Sequence, residues 1–350
     1  MTTTLPTSFS SLPEDIILSC LARVSKFCRP TLSLVSKYIR SLVASPDLEA
    51  TRSRNGITED YLCVCLNVGS KPRWFTLAPF PQQQKLKPIP PYYKHPESST
   101  VVSIGSEIYI IGGSLHQKKG NRVLVLDCRS HLWRRLPNMR LARETPAADV
   151  IDGKIYVIGG STSYKIENWG EVYDLKNQTW EPLLFTTLDL TTYKSVVPGK
   201  LVMGGKVYAM NNDLKISLEK NVCLVEIENL MCQISISNGM LVWFNPEENL
   251  GWSMVEGLEG VPRDPYFPGY LTSVASYDRG RRVTVWWKLI VSRCWPDWME
   301  SKTEIWCAEI SFERRDLGKL WGFVEWSKNV FIFDGGVSSD FFLHSAIVTY

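Results

Sequence analysis

The chain has 350 residues, 44% of them apolar and 21% charged, with a formal net charge of +3. This is the composition of a soluble globular protein with room for more than one domain and a large core. Such a balance gives little reason to expect a nucleic-acid partner. The basic runs Arg279-Gly280-Arg281-Arg282 and Glu313-Arg314-Arg315-Asp316 are short, and they read as solvated turns. No apolar run approaches the ~18 residues of a membrane span. Residues 1–10 lack the basic start and long apolar centre of a secretory signal and read as a disordered tail. The nine cysteines are odd in number and scattered. Their one close pair, Cys63-x-Cys65, suits burial on a strand better than metal binding. Reduced thiols, and hence the cytoplasm or nucleus, are expected.

From Leu12 the pattern turns helical. Pro13 suits a first helical position, and Glu14 and Asp15 complement the positive end of the helix dipole. Ile16, Ile17, Cys20, Leu21 and Val24 recur at three- and four-residue spacings and give one apolar face. Pro30 opens a second run containing Leu32, Leu34, Val35, Tyr38, Ile39, Leu42 and Val43. Ser45-Pro46-Asp47 starts a third helix ending near Asn55-Gly56. Residues 11–56 are thus predicted to form a small three-helix unit.

The wording of this unit, Leu12-Pro13-Glu14-Asp15-Ile16-Ile17, then Pro30-Thr31-Leu32-Ser33-Leu34-Val35-Ser36-Lys37 and Ser45-Pro46-Asp47-Leu48, resembles an F-box, in the form found in plant F-box/kelch-repeat proteins. The resemblance implies docking on the Skp adaptor of a cullin–RING ubiquitin ligase, with contacts at Leu12, Pro13, Ile17, Leu21, Leu34, Val35 and Lys37. A helical cap that merely packs on the rest of the chain would show the same amphipathic pattern.

From Asp60 the apolar period changes to two, and residues 60–349 read as strands. Within them one sentence is said twice. Glu107-Ile108-Tyr109-Ile110-Ile111-Gly112-Gly113-Ser114 is followed by Asp127, Trp133 and Leu136-Pro137. Lys154-Ile155-Tyr156-Val157-Ile158-Gly159-Gly160-Ser161 is followed by Asp174, Trp180 and Pro182-Leu183. Tyr109 to Tyr156, the glycine pairs, Asp127 to Asp174 and Trp133 to Trp180 share one 47-residue offset. Periods of roughly 40–50 residues belong to propeller blades. The glycine pairs supply positive φ or room for close backbone approach, Asp152-Gly153 is a hairpin turn, and the tryptophans fill gaps between blades.

This pattern resembles the kelch repeat. A worn third repeat keeps Gly204, Gly205 and Tyr208. A fourth begins near Val222, with an Asn238-Gly239 turn and outer strands through Leu241–Asn245 and Trp252. A fifth spans about 268–328 and carries Trp321 but no glycine pair. Residues 341–349 form a last strand expected to complete the incomplete first blade and close the ring. The expected fold is an α-helical F-box followed by an all-β kelch propeller of about six blades, or five with an irregular insertion.

Little points to catalysis. His95, His116, His131 and His344 lie on predicted loops or near strand ends without ligand-like spacing, and there is no nucleophile elbow, phosphate loop or His-Glu-x-x-His motif. No cofactor and no metal are expected. Trp133, Trp180, Trp252 and Trp321 hold repeat positions and are expected in the core. Trp169, Trp243, Trp295 and Trp298 fall outside that register, and Trp169 is a candidate partner anchor on the rim. The resulting expectation is a non-catalytic substrate adaptor of an SCF-type ubiquitin ligase, with an unidentified protein substrate on the propeller and neither nucleic acid nor membrane as partner. A kelch scaffold without a ligase role, and a copper- or sugar-dependent propeller oxidase, are the alternatives.

Overall fold

The computed structural model of the protein describes residues 9–69, 71–77, 84–92, 94–161, 168–183, 200–203, 206–210, 216–245, 251–262, 271–277, 281–295, 298–315, 318–334 and 341–350. Two compact units result. One runs up to Asp60 and includes Thr349 and Tyr350, and the other is Tyr61–Val348.

The first unit holds α1 (Glu14–Ala22), α2 (Arg29–Leu32), α3 (Lys37–Ala44) and α4 (Pro46–Arg54). Phe9 and Ser10, placed in the tail by the sequence reading, already belong to a single 3₁₀ turn, Phe9–Ser11. The second predicted helix is broken in two because Ser36 acts as an N-cap: its Oγ accepts from the Ile39 amide at 3.1 Å and starts α3 afresh. Ser45 does the same for α4 through the Asp47 amide. Ile17, Leu18, Leu21, Ala22, Ile39, Leu42, Val43 and Leu48 form the core of the bundle. Arg52 is buried in it, donating to the Ala22 and Val24 carbonyls at the end of α1 and to Glu59 at 2.7 Å. Those bonds satisfy carbonyls that the helix leaves open. The backbones of Glu59 and Tyr350 exchange two hydrogen bonds, both 3.1 Å.

The second unit is built from antiparallel sheets. Blade one contains β1 (Asp60–Val68), β2 (Lys71–Leu77) and β3 (Leu86–Pro88). Blade two contains β4 (Thr100–Ile104), β5 (Glu107–Ile111), β8 (Val123–Asp127) and β9 (Leu132–Arg135), with the small hairpin β6 (Ser114–Leu115) and β7 (Lys118–Lys119) beside it. Blade three is β10 (Ala147–Ile151), β11 (Lys154–Ile158), β12 (Gly170–Asp174) and β13 (Thr179–Pro182). Blade four has six strands: β14 (Lys200–Met203), β15 (Lys206–Met210), β16 (Ile216–Ile227), β17 (Leu230–Ser237), β18 (Met240–Phe244) and β19 (Ser253–Met254). Blade five is β20 (Ser273–Tyr277), β21 (Arg282–Trp295), β22 (Trp298–Arg315) and β23 (Lys319–Asp334). Finally β24 (Phe342–Thr349) lies against β1, completing blade one with the C-terminal strand as the sequence suggested.

The described residues therefore make a propeller of five blades. The predicted third and fourth repeats share one six-stranded sheet, because β16 continues through Val222 and pairs with both β15 and β17. A bulge between Lys206 and Tyr208 absorbs the register change. Blade five also runs past its predicted end near 328, since β23 continues to Asp334, and β21 extends beyond its predicted Arg282–Trp287 stretch to Trp295.

Side chains seal the junctions. Tyr109, Val125 and Met139 meet Ile155, Val157 and Tyr173 between blades two and three. Ile158 and Trp169 meet Met203 and Tyr208 between three and four. Ile234 and Trp243 meet Val283 and Ile310 between four and five, and Trp286 and Trp326 meet Val64 and Phe75 between five and one. Trp169 and Trp243 are thus core residues, which removes Trp169 as a rim anchor. Trp252 is corrected in the other direction: it is 46% exposed and precedes β19.

Candidate functional site

The repeat landmarks have the geometry their chemistry requires, and all of it is structural. Gly112 and Gly113 have φ of 65° and 89°, and Gly159 and Gly160 have 73° and 69°. A Cβ on Gly112 would collide with the Arg143 carbonyl, one on Gly113 with Glu97, and one on Gly160 with Glu144. Tyr109 pairs with Val125 as Tyr156 pairs with Val172, keeping the same register in both blades. Trp133 Nε1 donates to the Pro90 carbonyl at 3.0 Å, and Trp180 Nε1 to the Pro137 carbonyl at 2.9 Å. Both rings lie only partly buried, reaching from one blade to the chain leaving the blade before it. Trp321 packs on Gly257 and under the Arg315 guanidinium, 4.3 Å from the ring centroid. Gly204 and Gly205 lie outside the described residues. Asp127 and Asp174 each accept amide protons from the following turn, from Arg129 at 2.9 Å and from Lys176 at 2.8 Å. These repeated acids close turns rather than perform chemistry.

One residue that sequence reasoning missed ties two blades together. The backbone of Arg143 belongs to blade two: its amide donates to Gly120 and its carbonyl accepts from Gly113. Its side chain reaches blade three and is wholly buried. There it donates to Glu171 Oε1 at 2.8 Å and to the Gly159, Trp169 and Asn168 carbonyls. The other oxygen of Glu171 accepts from the Arg140 amide at 2.7 Å. A lone arginine in a loop carries no periodic signal that could have revealed this.

Two of the histidines take part in the packing between blades. His95 is buried, accepts from Trp74 Nε1 at 3.1 Å through Nε2, and places Nδ1 3.0 Å from the Pro96 carbonyl. This pattern fixes the neutral tautomer with the proton on Nδ1. Burial pulls its pKa down to about 4, partly offset by the Pro96 carbonyl. His344 sits within β24 with its ring centroid 6.3 Å from that of His95, and burial together with the Lys206 charge holds it well below the usual histidine range. Among the described residues no three His, Cys, Asp or Glu side chains are grouped to hold a metal ion. Cys20, Cys28, Cys63, Cys65, Cys128, Cys223, Cys232 and Cys307 are free thiols. No described helix is long and apolar enough to cross a membrane.

In the first unit the most exposed large apolar side chains sit together in one turn. The turn after α2 presents Leu34 at 77% and Val35 at 70% exposure, with Ile16 at 45% and Tyr38 at 38% also on the surface. Pro13 and Lys37 are exposed as well, and Leu12 packs half-buried on the core. Ile17 and Leu21, predicted as contacts, are 0% and 5% exposed and hold the bundle together instead. The helix break at Ser36 explains the difference. Leu34 and Val35 lie off the helical stripe that faces the core, whereas Ile39, Leu42 and Val43 lie on it.

A small apolar bundle with an uncovered hydrophobic turn, joined to a five-bladed propeller whose landmarks are glycine pairs and spaced tryptophans, defines a two-module binding protein. Residues 9–51 match the F-box domain, and residues 74–331 match the FKB95, Kelch-repeats domain. The chain is 61% identical to the Arabidopsis thaliana F-box/kelch-repeat protein At3g46050, over 99% of this chain and 96% of that one. It is 59% identical to At5g03000, over 99% and 90%. It is 48% identical to At5g03020, over 99% and 96%; both are F-box/kelch-repeat proteins of the same plant. The chain belongs to the plant F-box/kelch-repeat family.

Proposed function

We propose that this protein is the substrate-recognition subunit of an SCF-type ubiquitin ligase. In this reading the first unit docks a Skp-type adaptor, and through it a cullin–RING ligase, while the propeller holds a protein to be ubiquitinated. The role is that of an adaptor, without catalysis, in a reducing compartment of the cell, the cytoplasm or nucleus. The observation that carries it is the exposed Leu34-Val35 turn on a bundle whose other aliphatic side chains mostly form its core. Exposed apolar side chains of this size, with Ile16 and Tyr38 of the same unit also on the surface, are what a partner groove covers.

Burying one such side chain contributes about 1.5–3 kcal/mol, and ~1.4 kcal/mol corresponds to a tenfold change in affinity. Leu34→Ser with Val35→Ser should therefore weaken binding to purified adaptor by about ten- to a hundredfold and leave the melting curve in place. Ile17→Ala should do the reverse at first, destabilising the bundle by about 2–5 kcal/mol. Calorimetric titration decides the matter. No binding by the wild type, or full binding by the double variant, leaves the scaffold reading in its place.

A further inference from the structure

Lys206 opens β15 in blade four, yet its Nζ donates to the Val101 carbonyl on β4 in blade two, at 3.2 Å. Blade three stands between those two in the ring, so this side chain crosses the region enclosed by the inner strands. An ammonium group carries three donors. Among the described residues one backbone carbonyl accepts from this one, and no carboxylate pairs with it. Lys206 is half-buried, and a cation partly withdrawn from water gains from an opposite charge brought to it.

Its described neighbours include polar, neutral groups. His344 on β24 feels the Lys206 charge. Ser99, just before β4, has its hydroxyl 3.3 Å from His344 Nε2 and 3.5 Å from the Pro96 carbonyl, both long for a hydroxyl. His95 completes the group, with its ring 6.3 Å from that of His344. Three elements from three blades thus bring a cation, a weakly bonded hydroxyl and two neutral imidazoles together.

We propose that this cluster is an oxyanion site: Lys206 supplies the charge, and the Ser99 hydroxyl and His344 imidazole supply neutral hydrogen bonds to a carboxylate, sulfate or phosphate group. Burial draws the Lys206 pKa down to about 8, so the ammonium is still mostly charged at pH 7. The site is independent of the adaptor surface and stands whether or not the ligase reading does.

Thermal unfolding of the full chain at pH 7 tests it, with sodium sulfate and sodium acetate each compared with sodium chloride at matched ionic strength. Sulfate serves as the tetrahedral probe and acetate as the carboxylate probe. Wild type should gain a saturable rise of a few degrees in one or both. Lys206→Gln, which keeps a hydrogen-bonding reach without the charge, should lose the rise, and Ser99→Ala should need several-fold more anion to reach half of it. The wild type also gives a second readout, should the variant fold poorly. Acetylation of Lys206 by an activated acetate ester, followed by peptide mass spectrometry, should slow in the stabilising anion and not in chloride. An equal rise in wild type and Lys206→Gln, or no rise and no protection with either anion, overturns the proposal.

Discussion

Blades two and three read as copies of each other, whereas blades four and five share little of their wording and yet belong to the same ring. In the first pair the junction is made by glycine against a carbonyl, by a tryptophan Nε1 on a proline carbonyl, and by the buried Arg143. Between four and five the chain after β19 runs onto β23. The Glu256 amide donates to Leu320 at 3.0 Å, and the Gly322 amide donates to Glu256 at 2.8 Å. Gly257 then lies against the ring of Trp321, where a Cβ would not fit. Both junctions use a glycine so that something bulky can approach the backbone, but one is met by a carbonyl and the other by an indole. The repeated landmarks are thus one solution to joining blades. Where another solution is used, the repeat fades and the architecture remains.

The sharpest test of this contrast sets a buried ion pair at the repeated junction against an exposed one at the other. Arg143 and Glu171 are 0% and 1% exposed, whereas Lys319 and Glu256, 2.9 Å apart beside the other junction, are 55% and 42% exposed. Removing one partner of a buried pair leaves an uncompensated charge and costs about 3–5 kcal/mol. An exposed pair contributes roughly 0–1 kcal/mol. Arg143→Met should therefore lower the stability read by urea unfolding by about 3–5 kcal/mol, and Lys319→Met by less than about 1 kcal/mol. Similar losses for the two would mean that the junctions are held in the same way after all.

The junction between blades one and two adds a dependence on pH. His95 stays neutral in the fold, with a pKa of about 4 against 6.5 for a free side chain. Above pH 6.5 both states are neutral and the full stability is present. As pH falls from 6.5 towards 4 the unfolded chain takes up a proton that the folded chain refuses, and stability is lost. One pKa unit is about 1.4 kcal/mol, so His95 accounts for roughly 3 kcal/mol across that window. Protonation would also displace the Trp74 donor from Nε2. His95→Gln should flatten the fall in unfolding free energy between pH 6.5 and 4.5 relative to wild type; identical slopes would show that His95 titrates normally.

The sequence revealed those parts of the molecule whose constraint recurs. The helical stretch before Asn55, the 47-residue offset, the turns at Asp152-Gly153 and Asn238-Gly239, and the closing strand all follow from periodicity or local turn chemistry. Both turns do carry positive φ, 49° and 71° in the first and 50° and 75° in the second. The blade count was harder, because β16 is long enough to pair with β15 at one end and β17 at the other, and the register shift between β15 and β16 has no turn signal of its own. For the bundle, amphipathic spacing located the apolar residues but could not divide them into core and surface. The Ser36 cap decides that, turning Leu34 and Val35 outward while Ile17 and Leu21 stay inside. Arg143, Lys206 and the His95–His344 pair were invisible for a related reason: each acts across blades, so its partners lie far away in sequence.

The smallest effect expected separates a tryptophan that holds a junction from one that only occupies a similar place in the sequence. Trp133 gives its Nε1 proton to the Pro90 carbonyl and keeps its ring 5.3 Å from that of Tyr92. Trp252 is 46% exposed and touches Phe244 with ring centroids 5.7 Å apart. Phenylalanine keeps most of the apolar area in both places and removes only the indole donor. A typical net hydrogen bond contributes about 0.5–1.5 kcal/mol, and leaving a carbonyl unpaired near the surface costs in the same range because water can replace the donor. Trp133→Phe should thus lower stability by about 1 kcal/mol, with Trp180→Phe close to it, since Trp180 bonds Pro137 in the same way. Trp252→Phe should stay within about 0.5 kcal/mol of wild type, as surface changes usually do. Chemical denaturation of the three variants side by side resolves differences of this size. If Trp252→Phe costs as much as Trp133→Phe, the indole proton is not what distinguishes the repeated junctions, and their common feature reduces to the crowded glycines.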